Sequence, residues 1–542
     1  MTKPSKQCFS LRWRFLIIVL LLLGIFFRCF NLNHKIYWHD EVYTSIRSSG
    51  YTGYEVIKQV FDGRVIGVED LQKYQHPNPE KDLGDTINAL AKNPEHPPLY
   101  YLMARFWRQL FGAAVNNPRG LSVLFSLLVF PAIYWLCLEL FESPLVAWVA
   151  VALLAVSPFH VLYAQEAREY SLWTLTIILS CASLLRAIRK TKNSTKVTSY
   201  VWSWVIYAIT LALSLYTFLF SIFVAIGHGI YVFIIERFRF NKTILAYLIA
   251  SGAGFIAFSP WLFVVVTNLA VIQHKTHWTT LQVPLSFLVK IWGINLSLIF
   301  FDIGIPLEHP FTYIIPPILV SFVGYAIYFI CRYTTQRVWL LVLTLIVITA
   351  LALILPDLIW GGRRSVSSRY FLPCYIGVQL AVAYLISMSV TGSISGSLSR
   401  ANLIKTNLRT QKVWKGIVAV LLTGGVISCA ISSQTEIWWN KQVGANNPTI
   451  ARIINQAERP LVISNVSSVN PGDVISLSYL LNPQVKFQLV IPPNIPDIPQ
   501  GFSDVFLFYP SENLQQGLEE KYSTKIEWFD ESSVKPLGKL RL

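Results

Sequence analysis

Residues 13–30 read WRFLIIVLLLLGIFFRCF, and this run decides the class of fold. It is long enough to cross the roughly 30 Å of hydrocarbon in a bilayer as a single helix. Ten further apolar runs follow it along the chain. They are Leu121–Leu138, Leu145–Pro158, Leu172–Ala187, Val201–Tyr216, Thr217–Ile235, Ile244–Val266, Thr312–Ile330, Val338–Leu355, Phe371–Met388 and Ile417–Ser433. The sequence therefore predicts a mainly α-helical polytopic membrane protein with about eleven transmembrane helices.

The composition supports a membrane protein. Of the 542 residues, 54% are hydrophobic and only 14% are charged, and the mean hydropathy is +0.49. Such a chain cannot be arranged as a water-facing globule. The formal net charge of +16 comes from basic residues that are spread over the loops and do not form one basic domain. We therefore exclude nucleic acid as a partner and expect contact with membrane lipids.

The distribution of Lys and Arg predicts the orientation, because cytoplasmic loops are enriched in these residues. The basic loops all fall on one side when the apolar runs are taken as spans. They contain residues 189–192, 236–239, 332–337 and 400–415. We expect a multi-pass protein of a bacterial-type plasma membrane, with a cytoplasmic N-terminus and an extracytoplasmic C-terminus. A further run, Leu285–Phe301, would invert the later loops if it crossed, so we interpret it as interfacial or re-entrant.

Two polar segments are expected outside the membrane. Residues 34–119 form the first outer loop, in which Leu99–Phe111 is predicted to lie along the membrane surface. Residues 434–542 are predicted to be a small extracytoplasmic α/β domain that follows a transmembrane catalytic domain at residues 1–433. The Ser/Gly-rich stretch Thr391–Ser399 is interpreted as a cytoplasmic linker. The strands expected in the outer domain are Pro460–Ser464, Val485–Ile491, Asp504–Tyr509 and Lys525–Phe529, and the helices are Thr449–Ala457 and Asn513–Tyr522.

The first candidate site residues follow the first apolar run. Asp40 and Glu41 stand just where the chain leaves the membrane. The carboxylate of Asp40 is suited to accept the proton of an attacking hydroxyl group, and Glu41 to orient or replace it. An acidic pair solvated in a surface loop is the alternative, and the segments that follow favour the catalytic interpretation.

A second outer loop, Ser157–Tyr170, carries an amide, a carboxylate and a guanidinium at the same depth. If the loop is helical, Glu166 and Tyr170 share a face. Glu166 is then a second carboxylate that positions an acceptor or a metal, while Gln165 is a candidate substrate ligand and Arg168 a candidate phosphate ligand. A local ion pair is the alternative for Arg168.

A third segment at the outer end of a late span reads GGRRSVSSRY, residues 361–370. Three arginines on the outer face oppose the positive-inside rule and so require an explanation. A lipid phosphate at the interface supplies one, because guanidinium binds phosphate through two parallel charge-assisted hydrogen bonds. Arg369 is the first candidate ligand, with Tyr370 and Arg363 beside it, and contact with ordinary lipid head groups is the alternative.

An acid and an imidazole, Glu95 and His96, precede Pro97-Pro98 at the start of the amphipathic stretch. They are candidate contacts for a donor phosphate or a divalent ion, and a structural role at the helix entry is the alternative. Two adjacent ligand types do not make a metal site without partners. The sequence therefore requires no metal or other cofactor and leaves a divalent metal open.

The sequence contains no glycine-rich nucleotide-binding motif of the Walker or Rossmann type. A transferase that used a nucleotide sugar would be expected to contain a cytoplasmic domain that holds the diphosphate. A donor carried on a lipid needs no such domain. The apolar runs also contain almost no ionisable residues, which weakens a transporter interpretation.

Together these segments resemble the GT-C superfamily of membrane glycosyltransferases, specifically a family-39-like branch related to protein O-mannosyltransferases and to the lipid A aminoarabinose transferase. The resemblance covers residues 10 to 390 and depends on the order of four short segments. These are Asp40-Glu41, Glu95-His96-Pro97-Pro98-Leu99-Tyr100, Tyr163-Ala164-Gln165-Glu166-Ala167-Arg168 and Ser368-Arg369-Tyr370.

The resemblance implies an inverting transfer of a sugar from a polyprenyl-phosphate donor to an extracytoplasmic lipid, glycan or protein acceptor. Asp40 corresponds to the first-loop acid and Glu166 to the second-loop acid. This interpretation assumes that Asp40, Glu166 and Arg369 share one cavity at the outer membrane boundary. Which hexose or pentose is transferred, and to which acceptor, is not identified by the sequence.

Two other classes of function stay open. One is a lipid-linked saccharide transporter or flippase, and the other is a non-catalytic envelope assembly protein. Deletion of residues 434–542 is expected to leave some activity in a transferase and to abolish the function of a binding scaffold.

Overall fold

The computed structural model describes residues 11–193, 197–391, 408–467, 470–529 and 536–541. The chain divides into two compact units, a helical unit and a mixed unit. The helical unit contains Met1–Phe30, Asn93–Tyr100 and Ser122–Ser433, and the mixed unit contains Asn31–Lys92, Tyr101–Leu121 and Gln434–Leu542. Residues 392–399 of the predicted linker and the predicted basic residues at 400–407 lie outside the described part of the chain.

Long apolar helices make up the helical unit, because a segment in lipid must satisfy its backbone hydrogen bonds internally. The helices are Leu11–Cys29, Asn116–Phe141 from residue 122 onward, Pro144–Ala155, Pro158–Ala164, Tyr170–Asn193, Val197–Thr217, Ser221–Ile235, Lys242–Thr267, Leu269–Thr276, Leu285–Ser297, Ile315–Tyr333, Gln336–Trp360, Leu372–Thr391 and Leu408–Ser433. Eight helices of the described chain are long and apolar enough to cross a membrane, and one bent pair adds a ninth if it counts as one span. The prediction of a mainly helical multi-pass membrane protein is confirmed.

Three of the eleven predicted runs are not full-length apolar helices, so the number of spans by this measure falls to eight or nine. The run that starts at residue 13 forms a 19-residue helix that contains three arginines. In the run Leu145–Pro158 the helix ends at Ala155, and the chain bends by 61° before Pro158–Ala164. The run Thr217–Ile235 is interrupted after its first residue, which leaves a helix of 15 residues. At 1.5 Å per residue that helix is about 22 Å long.

Two further helices bear on predictions about the membrane surface. The ambiguous run forms the helix Leu285–Ser297, and its 13 residues extend about 20 Å, too short to cross the hydrocarbon. This length agrees with the interfacial or re-entrant interpretation. The amphipathic stretch forms the helix Leu99–Phe111, which exposes Leu110 and Phe111 to the surroundings of the protein. Exposed apolar side chains of this kind suit a helix that lies at a membrane surface.

A buried arginine holds the bend of the broken span. Arg28 is fully buried and donates hydrogen bonds to the carbonyl groups of Leu154 and Ala155 at 3.0 and 2.6 Å. Its guanidinium also donates to Ser126 Oγ at 2.8 Å and to the Gly24 carbonyl at 2.9 Å. Because the last carbonyl groups of a helix have no partner within that helix, Arg28 satisfies them and stabilises the bend that follows.

Basic residues of two predicted cytoplasmic loops contact one buried residue, Glu139. Arg189 Nη2 lies 2.8 Å from Glu139 Oε1, and Arg186 Nη1 lies 3.6 Å from the same oxygen. Arg337 donates to the Glu139 carbonyl at 2.9 Å. The loops that were predicted to share one side of the membrane therefore share one end of the helical unit, at least for the residues that make these contacts.

The mixed unit combines short helices with one six-stranded sheet. Its helices are His39–Ser48, Gly53–Val60, Val68–Gln72, Leu83–Ala91, Leu99–Phe111 from residue 101 onward, Asn447–Ile454, Asn470–Ser478 and Glu512–Tyr522. Its strands are β1 (Asp62–Gly67), β2 (Pro460–Asn465), β3 (Lys486–Val490), β4 (Asp504–Phe508), β5 (Ile526–Trp528) and β6 (Leu537–Leu540). The order across the sheet is β1-β3-β2-β4-β6-β5.

The centre of the sheet is parallel, and its buried strands are nearly all apolar. β2 pairs in parallel with β3 and β4, while β1 pairs with β3 in the antiparallel direction. Leu461, Ile463 and Leu507 are fully buried in its core. The four strands predicted after residue 459 are present, as expected for strands that are covered on both faces. The C-terminal α/β fold is confirmed.

The first outer loop contributes an unpredicted strand to this sheet. β1 lies on the edge, and Ile66 is the register partner of Phe487 in β3. The residues of β1 alternate poorly between apolar and polar, so no strand signal stands out in the sequence. Because β1 depends on β3, deletion of residues 434–542 would also disrupt the first outer loop. That deletion therefore does not separate a transferase from a binding scaffold.

Two glycines allow close approach in the helical unit. A Cβ atom at Gly425 would lie 2.6 Å from the Val156 carbonyl oxygen, and one at Gly24 would lie 2.6 Å from the Ala155 carbonyl oxygen. Neither contact can be accommodated without a backbone shift. Small residues at such contacts let membrane helices pack directly against one another.

We predict that Gly425→Ala lowers the stability of the protein in detergent, because a methyl group there must displace backbone. Overpacking of this kind costs about 1–3 kcal/mol. The measurement is the thermal unfolding midpoint, with Gly252→Ala as the matched control, since no described atom outside its own helix lies within 4 Å of a Cβ at Gly252. Equal midpoints for the two variants would contradict the packing argument.

A buried carboxylate in the mixed unit predicts a pH-dependent stability. Asp473 is 3% exposed and accepts a hydrogen bond from Asn447 Nδ2 at 2.8 Å. Burial raises the pKa of Asp473 from 3.8 to about 6, more than the Asn447 amide lowers it. A raised folded-state pKa gives stability that is present below the unfolded value and is lost as the pH rises through the folded value.

We therefore expect the wild-type protein to lose stability between about pH 4 and pH 6 through this group, on the order of 3 kcal/mol. Asp473→Asn removes the titrating group and should flatten that part of the curve. Thermal unfolding midpoints of both proteins at pH 4.5 and pH 7 provide the measurement. A wild-type curve that is parallel to the variant curve would show that Asp473 does not titrate in this range.

Candidate active site

The first candidate acids lie in the mixed unit, on the first turn of the helix His39–Ser48. The helix begins after Trp38, whose backbone N–H donates to Glu41 Oε2 at 3.1 Å. Carboxylates in a first turn are stabilised by the partial positive charge at the helix N-terminus. Asp40 is half-buried, whereas Glu41 is fully buried. Adjacent residues thus present two carboxylates in different environments.

Glu41 is held by two cations. Arg119 donates a hydrogen bond to each oxygen of the Glu41 carboxylate. Its Nε donates to Oε1 at 2.8 Å, and its Nη2 donates to Oε2 at 2.7 Å. Lys441 Nζ lies 3.4 Å from Oε2, and the three side chains are fully buried. Parallel hydrogen bonds from guanidinium to carboxylate are among the strong ones in proteins. The expectation that Glu41 can replace Asp40 as a proton acceptor is therefore not supported by its geometry.

Arg119 also fixes the chain segment that leads into the helix. It donates to the carbonyl groups of Lys35 at 3.0 Å and Ile36 at 2.7 Å, and its guanidinium lies 5.6 Å from the centre of the Tyr37 ring. Sequence reasoning missed Arg119 and Lys441. Arg119 closes the polar segment before the second apolar run, but nothing in the local pattern pairs it with Glu41.

The other end of the same helix is held by arginines of Leu99–Phe111 that belong to the mixed unit. Arg108 Nη1 donates to the Ser45 carbonyl at 3.0 Å and to the Ser48 and Ser49 hydroxyls at 2.9 and 3.0 Å. Arg105 Nη1 donates to the Ser48 carbonyl at 3.3 Å. Cations at a helix C-terminus satisfy its last carbonyl groups and complement the helix dipole.

The second candidate segment lies in the helical unit, between Pro158–Ala164 and Tyr170–Asn193. Residues 165–169 form a turn and are not helical, so the expectation that Glu166 and Tyr170 share a helix face is wrong. Within the turn, the Arg168 N–H donates to the Glu166 carbonyl at 2.7 Å. Glu166 and Arg168 are 1% and 3% exposed. The turn concentrates buried charges at one end of the unit.

Arg168 pairs with the next residue. Its Nη2 lies 3.1 Å from Glu169 Oε1, and His96 Nδ1 lies 3.5 Å from the same oxygen. Burial by itself would raise the pKa of Glu169, but the Arg168 guanidinium and the His96 imidazole outweigh it and hold the pKa at about 2. The local ion pair left open by the sequence is present. Glu169 is therefore an anion at neutral pH that orients Arg168.

The Glu95-His96 segment joins this cluster. His96 Nε2 and Lys275 Nζ each lie 3.9 Å from Glu95 Oε1, and Lys275 also donates to Asn93 Oδ1. His96 thus lies between the carboxylates of Glu95 and Glu169. Within the described residues no group of three or more His, Cys, Asp or Glu side chains is arranged to hold a metal ion. The contact of this segment with substrate stays a prediction.

Two of the predicted phosphate ligands lie beside one aromatic ring. The guanidinium carbons of Arg168 and Arg369 each lie 5.7 Å from the centre of the Tyr170 ring. Arg369 also lies 5.7 Å from the centre of the Tyr370 ring. The Tyr163 ring packs edge-on against Tyr170 at 5.0 Å. The structure therefore brings Arg168 to Arg369 and Tyr370, which lie about 200 residues later in the sequence, at one place in the helical unit.

Two predicted substrate ligands have structural partners. Gln165 Nε2 donates to the Phe27 and Phe30 carbonyl groups at 2.7 and 2.8 Å, which satisfies the C-terminal end of the first helix. Arg363 Nε donates to the Trp278 carbonyl at 2.8 Å, and its guanidinium lies 5.6 Å from the centre of the Trp278 ring. Both contacts explain these residues without a substrate.

A buried acid that sequence reasoning missed organises the arginine segment. Asp357 accepts hydrogen bonds from the Ser365 N–H and hydroxyl, both at 2.7 Å, and from Arg364 Nη1 at 3.0 Å. One of the three outer arginines is thus neutralised within the protein. Asp357 follows the apolar run Val338–Leu355 after a single proline. The Pro356-Asp357 pair could have indicated that the span ends there.

The candidate residues are divided between the two units. Asp40 and Glu41 belong to the mixed unit, and Glu166, Arg168, Arg369 and the Glu95-His96 segment belong to the helical unit. Each unit assembles its own cluster from distant parts of the sequence. The prediction that the two clusters share one cavity stays a prediction.

Known proteins resemble this chain in sequence and in structure. Residues 95–263 match the model of the family described as dolichyl-phosphate-mannose-protein mannosyltransferase. The crystal structure of ArnT from Cupriavidus metallidurans bound to undecaprenyl phosphate matches with a TM-score of 0.51 at 14% identity, over 98% of both chains. The chain has the GT-C fold. The superfamily resemblance stated from the sequence is confirmed.

Two further solved structures also match. The apo structure of the same ArnT also has a TM-score of 0.51, at 13% identity over 97% of this chain and 98% of ArnT. The oligosaccharyltransferase of Archaeoglobus fulgidus gives a TM-score of 0.47 at 14% identity and covers 89% of this chain and 64% of its own. No curated protein matches the sequence. The GT-C fold of this chain therefore rests on the full-length structural likeness and on the four sequence segments.

We predict that Glu169→Gln destabilises the helical unit, because it leaves the Arg168 guanidinium buried beside a neutral amide. Removing one partner of a buried ion pair costs about 3–5 kcal/mol. The measurement is the thermal unfolding midpoint in detergent at pH 7, with Glu142→Gln as the control, since the Glu142 side chain is 41% exposed in its pair with Arg337. A Glu169→Gln midpoint equal to that of the control would show that the Arg168 pair adds nothing to stability.

Proposed function

We propose that this chain is an inverting glycosyltransferase that moves a sugar from a polyprenyl-phosphate donor to an acceptor outside the cytoplasm. Two comparisons support the proposal. The structure that matches over 98% of both chains is an ArnT with undecaprenyl phosphate bound, and the matching family is described as using dolichyl-phosphate-mannose. Both names refer to sugar or phosphate chemistry on a polyprenyl lipid.

The observation that carries the proposal is the pair of guanidinium groups at Tyr170. Arg168 is buried and oriented by Glu169, while Arg369 is half-buried where a span begins. Guanidinium binds phosphate with charge and with directed hydrogen bonds, and a phosphate at the end of an apolar lipid lies at the membrane surface. We assign Arg369 and Arg168 to the donor phosphate, with Tyr370 beside them.

Asp40 is the proposed general base. In the transfer, the acceptor hydroxyl oxygen attacks the anomeric carbon of the donor sugar, and its proton passes to the Asp40 carboxylate. The bond between that carbon and the phosphate oxygen breaks, and the electron pair leaves with the phosphate. Arg369 and Arg168 then stabilise the charge that develops on the leaving group. A single displacement inverts the anomeric configuration.

Glu166 and Glu41 take supporting roles. Glu166 is buried in the turn that also carries Arg168, so its carboxylate is suited to position the acceptor or a divalent ion. Glu41 is held by Arg119 and Lys441 and orients the turn that carries Asp40. Glu95 and His96 line the same cluster as Glu169 and are proposed contacts of the donor.

We infer from the basic loops that both clusters face the extracytoplasmic side of a bacterial-type plasma membrane. Arg189 and Arg337 both contact Glu139, and Arg189 lies near the end of the helix Tyr170–Asn193 that is opposite to the turn at residues 165–169. Loops enriched in Lys and Arg stay cytoplasmic. A lipid-borne donor is the form in which an activated sugar is available on the other side.

The first test compares membrane lipids and envelope glycans of strains with and without the gene by mass spectrometry, to identify the product. Asp40→Asn should then accumulate in the membrane but lower product formation by about 10²–10⁴-fold, the usual contribution of a general base. Asp62→Asn, an exposed acid of the same outer loop in contact with Arg64, is the control and should leave the product unchanged.

The outcomes separate the classes of function. Full product in the Asp40→Asn strain would exclude Asp40 as the base. Transfer of labelled lipid-linked sugar across proteoliposome membranes without a new glycosidic bond would replace the transferase by a flippase. If membrane lipids and envelope glycans are unchanged in the strain without the gene, both the transferase and the flippase are contradicted.

A further inference from the structure

The segment after the last membrane helix runs along the segment that leads into the helix His39–Ser48. His34 Nε2 donates to the Gln434 carbonyl at 3.1 Å, and the Ile36 N–H donates to the Glu436 carbonyl at 3.0 Å. All four residues belong to the mixed unit. Two parts of the chain that are 400 residues apart thus pair before the proposed base is reached.

Lys441 completes this pairing at the catalytic turn. It is fully buried, its Nζ lies 3.4 Å from Glu41 Oε2, and the same atom lies 5.0 Å from the centre of the Trp38 ring. A buried ammonium group is costly unless it is paired, and Glu41 is already bonded through both oxygens to Arg119. Lys441 thus adds a second cation to the carboxylate that Arg119 already binds.

The helix His39–Ser48 is also enclosed farther along by the C-terminal segment. A Cβ atom at Gly472 would lie 2.5 Å from His39 Nδ1 and 2.7 Å from the Tyr43 ring, so a side chain there would push the helix away. The Tyr37 ring packs edge-on against Tyr479 at 5.0 Å. The contacts made by Gln434, Glu436, Gly472 and Tyr479 thus lie on either side of Asp40 along the chain.

We propose that Lys441 is a positioning residue for the transfer reaction, which acts through Glu41 to hold the turn that presents Asp40. The inference rests on the proposed function, because it takes Asp40 as the base. It also assigns residues 434–441 a role inside the catalytic machinery, where the sequence suggested only a separate outer domain. An error of about 1 Å in the place of a catalytic group can cost about 100-fold in rate.

The test uses the full-length protein and three lysine variants. Lys441→Met removes the ammonium at similar volume, Lys441→Arg keeps the positive charge, and Lys525→Met changes an exposed lysine of the same unit as the control. Two quantities are measured at equal protein amount: product formation in the complemented strain, and the affinity of the purified protein for undecaprenyl phosphate, the probe for the donor phosphate.

Lys441→Met should lower product formation by about 10- to 100-fold and leave the affinity for undecaprenyl phosphate within about twofold, because the phosphate ligands lie in the helical unit. Lys441→Arg should recover most of the product, and Lys525→Met should match the wild type. If Lys441→Met does not accumulate, Lys441→Gln replaces it, since it keeps a hydrogen-bond donor near Glu41 without the charge.

Each other result rejects the inference. Wild-type product formation in Lys441→Met, or equal loss of product and of undecaprenyl-phosphate affinity, would show that Lys441 does not act through the catalytic turn. Failure of Lys441→Arg to recover activity would show that the positive charge is not what matters. Asp40→Asn is measured in parallel, so that a wrong base assignment is distinguished from a wrong role for Lys441.

Discussion

The mixed unit depends on one carboxylate that is removed from water. Glu41 is fully buried and would be costly as an isolated anion, so its place in the fold requires Arg119 and Lys441. Each of these three residues belongs to a different chain segment of the unit. The segments are Asn31–Lys92, Tyr101–Leu121 and Gln434–Leu542. A single ion cluster therefore ties the first outer loop to the C-terminal segment, and the sheet repeats that connection where β1 pairs with β3.

In the helical unit, arginine side chains are likewise held by hydrogen bonds or ion pairs within the protein. Arg28 satisfies the open end of a broken helix, Arg364 is bound by Asp357, and Arg168 is oriented by Glu169. Each guanidinium has directed partners within the unit. Arg369 contacts the rings of Tyr170 and Tyr370 at the start of a span, and the phosphate assignment depends on this position beside Arg168.

The sequence predicted the class of fold because lipid imposes a simple pattern, an apolar run for each span. It did not indicate where local breaks interrupt a run, as at the 61° bend after Ala155, since mean hydropathy does not report a change of direction. It found the four strands β2 to β5, of which β2, β3 and β4 are largely buried and apolar. It missed β1, whose residues show no alternation and whose pairing partner lies more than 400 residues away.

The candidate residues could be predicted from their positions next to apolar runs, but the side chains that bind them could not. Asp40, Glu166 and Arg369 follow or precede apolar runs, which is visible in one sequence. Gln165 was taken as a substrate ligand because an amide carries no mark of the carbonyl groups that it caps, Phe27 and Phe30. Likewise nothing local to Glu41 indicates Lys441. Such pairings depend on the tertiary fold and are outside the reach of spacing arguments.

The central claim is that a sugar leaves a lipid phosphate in a single displacement. It is tested most directly by NMR of the purified product formed in proteoliposomes from a polyprenyl-phosphate sugar of known anomeric configuration. The account predicts a new glycosidic bond of inverted configuration and one released polyprenyl phosphate for each bond formed. A product that retains the donor configuration, or donor that is consumed without a glycosidic bond, would contradict it.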